Sequence, residues 1–158
     1  MCKTMMYHLK KNRILFSLFF LGGLFVFWGI KEYDEVKSYE KKILYVGTEE
    51  IDIEVARTPQ EKQRGLSQRE NLLKNSGMLF IFESDTQPFI WMKDMKFSID
   101  ILWIDAKKVI VGWEEYVAPE TYPKTFQPEE NIRYVLEVPA GFVKEKNIRK
   151  YEKVFFEE

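Results

Sequence analysis

GMLFIFESDTQPFIWMKDMKFSIDILWID, residues Gly77 to Asp105, decides the fold. It holds three apolar runs, Gly77 to Phe82, Pro88 to Met92 and Phe97 to Ile104, rich in Ile, Phe and Trp and bounded by Asp, Ser, Lys or Pro. Short runs of that composition with polar punctuation read as buried strands. Between the last two lies the turn Trp91-Met92-Lys93-Asp94, whose charged pair belongs at a surface.

Working outward, the pattern on the N-terminal side starts at Lys42. KKILYV, GTEE and IDIEVA give a strand, a tight turn with Gly47, and a half-buried strand with Ile51, Ile53 and Val55 on one face, which together make a hairpin. Thr58-Pro59-Gln60-Glu61 then carries the parts of a helix start. Thr caps, Pro occupies the first turn where its missing N–H costs nothing, and Glu61 completes a capping box. Gly65 ends that helix, and a second helical turn is expected from Ser67 to Leu73.

On the C-terminal side, Asp105 to Lys108 is a polar turn and Val109 to Trp113 a strand, so Phe97 to Trp113 forms a second hairpin. Residues 114–131, with Pro119, Pro123 and Pro128, read as a long extended loop, a kind that often serves function. Ile132 to Val138 is a strand, Phe142 to Asn147 a short helix, and Lys153 to Phe156 a closing strand. The expected fold is therefore α+β and β-rich. It is a single domain of about seven mostly antiparallel strands, in a twisted or partly closed sheet with short helices.

The first thirty residues are different. Ile14 to Ile30 is seventeen residues without a charge, near the lower limit for a membrane-spanning helix. Lys3, Lys10, Lys11 and Arg13 precede it with no acid among them. The positive-inside bias then puts the N-terminus in the cytoplasm and the remainder outside. No small-residue cleavage pattern follows Trp28, which favours an uncleaved signal anchor over a signal peptide. The expected organisation is a basic cytoplasmic N-terminus over 1–13, a transmembrane anchor over 14–30, a charged stalk over 31–41 and an extracytoplasmic domain over 42–158. Localisation is the cell membrane, single-pass.

Charge and composition exclude several functions. After residue 30 the chain has 20 basic against 25 acidic side chains, a net of −5, with no basic stripe to follow a phosphate backbone. Nucleic acid is therefore not an expected partner. Cys2 is the only cysteine and His8 the only histidine, and both precede the apolar run. The outer part then has no means for Ser-His-Asp or Cys-His catalysis or for a structural zinc site, and no glycine-rich phosphate loop is present. Neither a cofactor nor a metal is expected.

The succession GLSQRENL, GMLF, WMKDM, SIDILWID and YVLEVPAG, closed by Ile148 to Phe156, resembles the domain of unknown function 192 family over about residues 50–158. The family pattern falls on Gly65, Leu66, Arg69, Gly77, Met78, Phe80, Trp91, Met92, Lys93, Asp100, Asp105, Leu136, Glu137 and Gly141. This chain departs from it at Ile90, Asp94, Met95, Tyr151 and Glu152. The resemblance implies a small, mostly antiparallel domain with short helices, commonly exported, and it implies no activity.

Candidate site residues are Arg69, Trp91, Lys93, Asp100 and Glu137. Asp100 sits in a strand that is apolar on both faces, so it needs a cation or several donors. One reading is a structural carboxylate, ion-paired or hydrogen-bonded, with Arg69, Lys93 or Arg133 as partner. The other places Asp100 and Glu137 together in a cleft beside Trp91, where paired carboxylates could perform acid–base hydrolysis of a glycosidic bond or hold a hard cation. Trp91, Trp103 and Trp113 read either as core or as a stacking surface for sugars.

Three functions follow. The first is a non-enzymatic ligand- or partner-binding module of the cell envelope, for a carbohydrate or small anionic ligand. The alternatives are an envelope carbohydrate hydrolase with Asp100 and Glu137 catalytic, and a structural subunit of a membrane assembly whose protein partner is unspecified.

Overall fold

In the computed structural model, residues 39–158 are described. The expected basic N-terminus, the apolar segment 14–30 and all but the end of the stalk lie outside them. Among the described residues no helix is long and apolar enough to cross a membrane.

The first hairpin is present as β1 (Glu40–Val46) and β2 (Glu49–Ala56). The strand opens at Glu40, and Tyr39 before it is buried. Helix α1 (Pro59–Arg64) has the full capping box, with Glu61 N–H donating to Thr58 Oγ1 at 3.2 Å and Thr58 N–H to Glu61 Oε2 at 2.9 Å. It carries the chain across to β3 (Ser76–Thr86), which pairs parallel to β2. Residues 67–73 do not make the expected helical turn. Gln68 takes a left-handed φ of 64° and gives its N–H to Asp94 O across the molecule, which interrupts any helical ladder.

The remaining strands are β4 (Ile90–Trp91), β5 (Ile99–Ile104), β6 (Ile110–Val117), β7 (Thr125–Phe126), β8 (Ile132–Pro139) and β9 (Val154–Phe156). Seven form one sheet in the order β6-β5-β8-β3-β2-β1-β9, antiparallel except at β2 and β3. The sheet curls until its edges meet, because Ile110 N–H donates to Glu152 O at 2.9 Å, Tyr151 N–H to Ile110 O at 2.7 Å and Val154 N–H to Lys108 O at 2.8 Å. Closing the edges leaves less unpaired strand to associate with other chains. The expected loop over 114–131 is shorter than read. β6 runs on to Val117, a 3-10 turn covers Pro119–Thr121, and β7 pairs with β4 in a two-stranded ribbon.

Two apolar clusters divide the sheet by face. The inner one takes residues from nearly every strand of the barrel, among them Leu44, Ile53, Leu79, Leu102, Leu136 and Val154, and is plugged by Phe142 and Val143 of α2 (Phe142–Glu145). The outer one lies on β3, β5 and β8 and includes Met78, Phe80, Ile99, Ile101, Trp103 and Val135, covered by Leu66, Ile90 and Met92. With both faces covered, all six residues of β5 are buried.

Candidate functional site

Glu137 lies in the middle of β8, beside Met78 of β3 and Ile101 of β5. Residues in register share a face, so Glu54, Met78, Glu137 and Ile101 form one row across the outer side of the barrel. Gly77 allows this close packing, since a Cβ there would stand 2.7 Å from Glu137 O.

Two segments fold over that row. The first is the end of α1 and the following loop. Gly65 has φ 48°, a left-handed conformation that favours glycine, and a Cβ there would lie 3.2 Å from the Phe80 ring. The hydroxyl of Tyr39 secures this corner by donating to Gly65 O at 3.3 Å. The second segment is the Trp91-Met92-Lys93-Asp94 turn, with Asp94 at φ 58°. Ser67 Oγ donates to Lys93 O at 2.9 Å and Gln68 N–H to Asp94 O at 2.7 Å, which joins the two segments.

Between the segments and the sheet is a cleft of 310 Å³, at the lower end of the range of small-molecule sites. Its walls are mostly apolar, from Phe80, Phe82, Ile90, Met92 and Ile99, with Trp91 at the mouth. Glu137 lines it and is only 5 % exposed. Among the described residues no group hydrogen-bonds to its carboxyl. Burial pushes its pKa up to about 8, opposed in part by the positive charge of Arg69. At neutral pH most of the population is a neutral carboxylic acid, which can donate as well as accept a hydrogen bond.

The other expected site residues separate. Asp100 neighbours Ile101 in β5 and therefore points to the opposite face, into the barrel. Its Oδ1 accepts from Tyr116 N–H at 2.8 Å and its Oδ2 from Val143 N–H at 2.9 Å. Tyr116 has φ 52° and sits where β6 carries an extra residue against β5, a bulge that turns its N–H toward the carboxylate. Asp100 is thus held by backbone donors, not by Arg69, Lys93 or Arg133. The expected convergence of Asp100 and Glu137 in one cleft is not what the structure shows, because strand alternation sends them to opposite faces.

Arg69 makes a bidentate pair with Glu54, at 3.0 Å and 2.6 Å, and its guanidinium lies 5.5 Å from the Tyr39 ring centroid. Each partner holds the other in its charged form, Glu54 below and Arg69 above its ordinary pKa. Arg133 pairs with Asp85. Lys93 is exposed beside Trp91 on a shallow shelf that also includes Arg64. Trp103 is buried, Trp113 partly buried, and Trp91 is 46 % exposed. Sequence reasoning missed Arg64 and the apolar walls. The signal available for Arg64 was its place as the last residue of a well-capped helix, next to the glycine that ends it.

The architecture defines a class, a small β-rich domain whose closed sheet carries an apolar cleft on one outer face. The chain belongs to the domain of unknown function 192 family, described as an uncharacterized ACR, whose family model matches residues 42–156. No curated protein matches it. A solved structure from Sinorhizobium meliloti 1021, provisionally described as a transcription regulator, is similar at 26 % identity and a TM-score of 0.71, over 76 % of this chain and 96 % of that one. A protein of unknown function from Novosphingobium aromaticivorans DSM 12444 shares the fold at 22 % identity and a TM-score of 0.67, over 72 % of this chain and 83 % of that one.

Proposed function

We propose that this chain is a small-ligand-binding module of the cell envelope, anchored by residues 14–30, with the Glu137 cleft as its binding site. The observation that carries this reading is the Glu137 carboxyl, which has no hydrogen-bond partner among the described residues and opens onto the cleft. An unpaired polar group of this kind costs stability, and an apolar residue of similar volume would avoid the cost. A ligand that completes its hydrogen bonding accounts for its presence. The predominantly apolar walls favour a ligand with an apolar body over a free sugar, which needs many more polar partners. Membrane attachment is supported by the uncharged seventeen-residue run and its cationic flank.

Thermal-shift measurements on the full chain in lipid nanodiscs test the binding reading, with N-acetylglucosamine, aromatic carboxylates, inorganic phosphate and calcium as probes. A ligand at a hundred times its Kd stabilises by about 2.7 kcal/mol, a shift of several degrees. A shift that disappears in both Trp91→Ala and Glu137→Met supports the cleft. If every probe leaves the wild type unmoved, or if the shifts survive both substitutions, the reading is wrong.

A further inference from the structure

The mouth of the cleft differs in charge from the rest of the domain. Lys62 and Arg64 line the cleft and Arg64 and Lys93 the adjoining shelf, with Asp94 on the shelf and the charges of Glu83 and Glu61 acting on Lys62, although the chain after residue 30 carries a net negative charge. Lys62 is committed: its Nζ donates to Ile81 O at 2.9 Å and lies 4.9 Å from the Phe82 ring centroid. Among the described residues the side chains of Arg64 and Lys93 have no hydrogen-bond or ion-pair partner. Both line the shallow shelf, which shares Gln63, Arg64, Ser67 and Trp91 with the cleft. The two depressions therefore adjoin, with Trp91 standing between them. One offers an apolar chamber with a carboxyl in it, and the other offers two cations unpaired among the described residues.

From this arrangement, and resting on the binding reading above, we infer that the ligand is a small amphiphilic acid. Its apolar body packs against Phe80, Phe82 and Met92. An uncharged oxygen, such as an amide or ester carbonyl, accepts a hydrogen bond from the Glu137 carboxyl. Its anionic group stays at the mouth with Arg64 and Lys93, beside the indole of Trp91. A cationic ligand is the competing chemistry, because it could ion-pair with Glu137. It would have to pass three positive side chains and leave water in an apolar chamber, which costs more than a neutral hydrogen bond in the same place. An anion at the mouth stays partly hydrated and gains a bidentate-capable guanidinium.

The test uses probes with one benzoyl amide and a varied end: N-benzoylglycine (anionic), N-benzoylglycinamide (neutral) and N-benzoylethylenediamine (cationic). A fourth, 5-phenylvalerate, keeps the ring and the acid but has no amide. Calorimetric titration at pH 6.5 of the full chain in nanodiscs compares them. N-benzoylglycine is expected to bind at least tenfold more tightly than the other three. Arg64→Ala combined with Lys93→Ala reduces it to the level of the neutral amide. Glu137→Met reduces it to the level of 5-phenylvalerate, while Glu137→Gln, which keeps a neutral donor, retains most of the affinity.

If the cationic or the neutral probe binds as well as the acid, and does so through Glu137, the cleft is a binding site and the inferred ligand class is wrong. If 5-phenylvalerate matches N-benzoylglycine, the assigned role of the Glu137 carboxyl is wrong. If none of the four binds, or if binding ignores both Glu137→Met and Trp91→Ala, the inference falls together with the reading beneath it.

Discussion

Asp100 and Glu137 sit on paired strands, one register step apart, and both carboxyls are removed from water, yet they are opposite cases. Asp100 faces the barrel interior and is completed by two backbone N–H groups, one from a bulge in β6 and one from the first turn of α2. Glu137 faces the outer row and, among the described residues, has no hydrogen bond, with the charge of Arg69 as its electrostatic support. The difference shows how to separate structure from function among buried carboxyls. A carboxylate whose donors come from different elements holds those elements together, and one facing a cavity without donors lowers stability unless something enters the cavity.

The largest expected effect breaks the Asp100 side of this comparison. Asp100→Ala leaves two buried N–H groups without an acceptor and loosens both the bulge and the α2 plug, for a loss of about 3–5 kcal/mol. Asp100→Asn keeps one acceptor and should lose about half as much. Urea titration measures both, and a loss below about 1 kcal/mol for Asp100→Ala would mean that the backbone donors find other partners.

Glu137 should respond with the opposite sign. Glu137→Met removes an unpaired buried carboxyl and fills its volume, so stability should rise by about 1–3 kcal/mol. The wild type also carries a pH signature. Its folded-state pKa of about 8 lies above the ordinary 4.5, so the folded chain binds the proton more tightly than the unfolded chain. The contribution is then complete below pH 4.5 and lost as pH rises toward 8, by at most about 1.4 kcal/mol per pH unit, with no further loss above. Glu137→Gln should flatten that slope. Urea midpoints taken from pH 5 to 9 decide the point, and a slope that survives in Glu137→Gln would belong to another group.

How much of this was legible in sequence depends on how local the cause is. The β1–β2 hairpin and the α1 capping box follow from residues close together, and both are present as read. The seven strands of the main sheet and the short helix at Phe142 were legible for the same reason, whereas β7 was not and the helical turn read over 67–73 is absent. The facing of Asp100 and Glu137 was not, because all six residues of β5 are buried and the alternation that normally reveals a face is absent. The partner of Arg69 is fifteen residues away on a parallel strand that no turn signal announces. The end of β6 was hidden by Pro119, Pro123 and Pro128, which suggested a loop although pairing with β5 continues to Val117.

A smaller effect sharpens the Glu137 side. Arg69→Met breaks the bidentate pair with Glu54, at a loss of about 1–2 kcal/mol. It also removes the positive charge that opposes the rise of the Glu137 pKa. The upper end of the pH slope should therefore move above 8 in Arg69→Met. Carbon-detected NMR of the Glu137 carboxyl follows this directly, and an unchanged titration would show that Glu54 already screens Arg69 from the cleft.

The smallest stability change belongs to Trp91, and its size is the reason to make the substitution. Trp91 is about half exposed, donates no hydrogen bond to the described residues and pairs only within the two-residue strand β4. Trp91→Ala should therefore shift the urea midpoint by less than about 1 kcal/mol, while removing the wall between the apolar chamber and the cationic shelf. A residue that matters to binding and little to folding is what a ligand site at a cleft mouth requires. If Trp91→Ala instead destabilises by 3 kcal/mol or more, the indole is holding the two covering segments against the barrel. The cleft would then be a seam between packed segments, and Glu137 a carboxyl stranded in it.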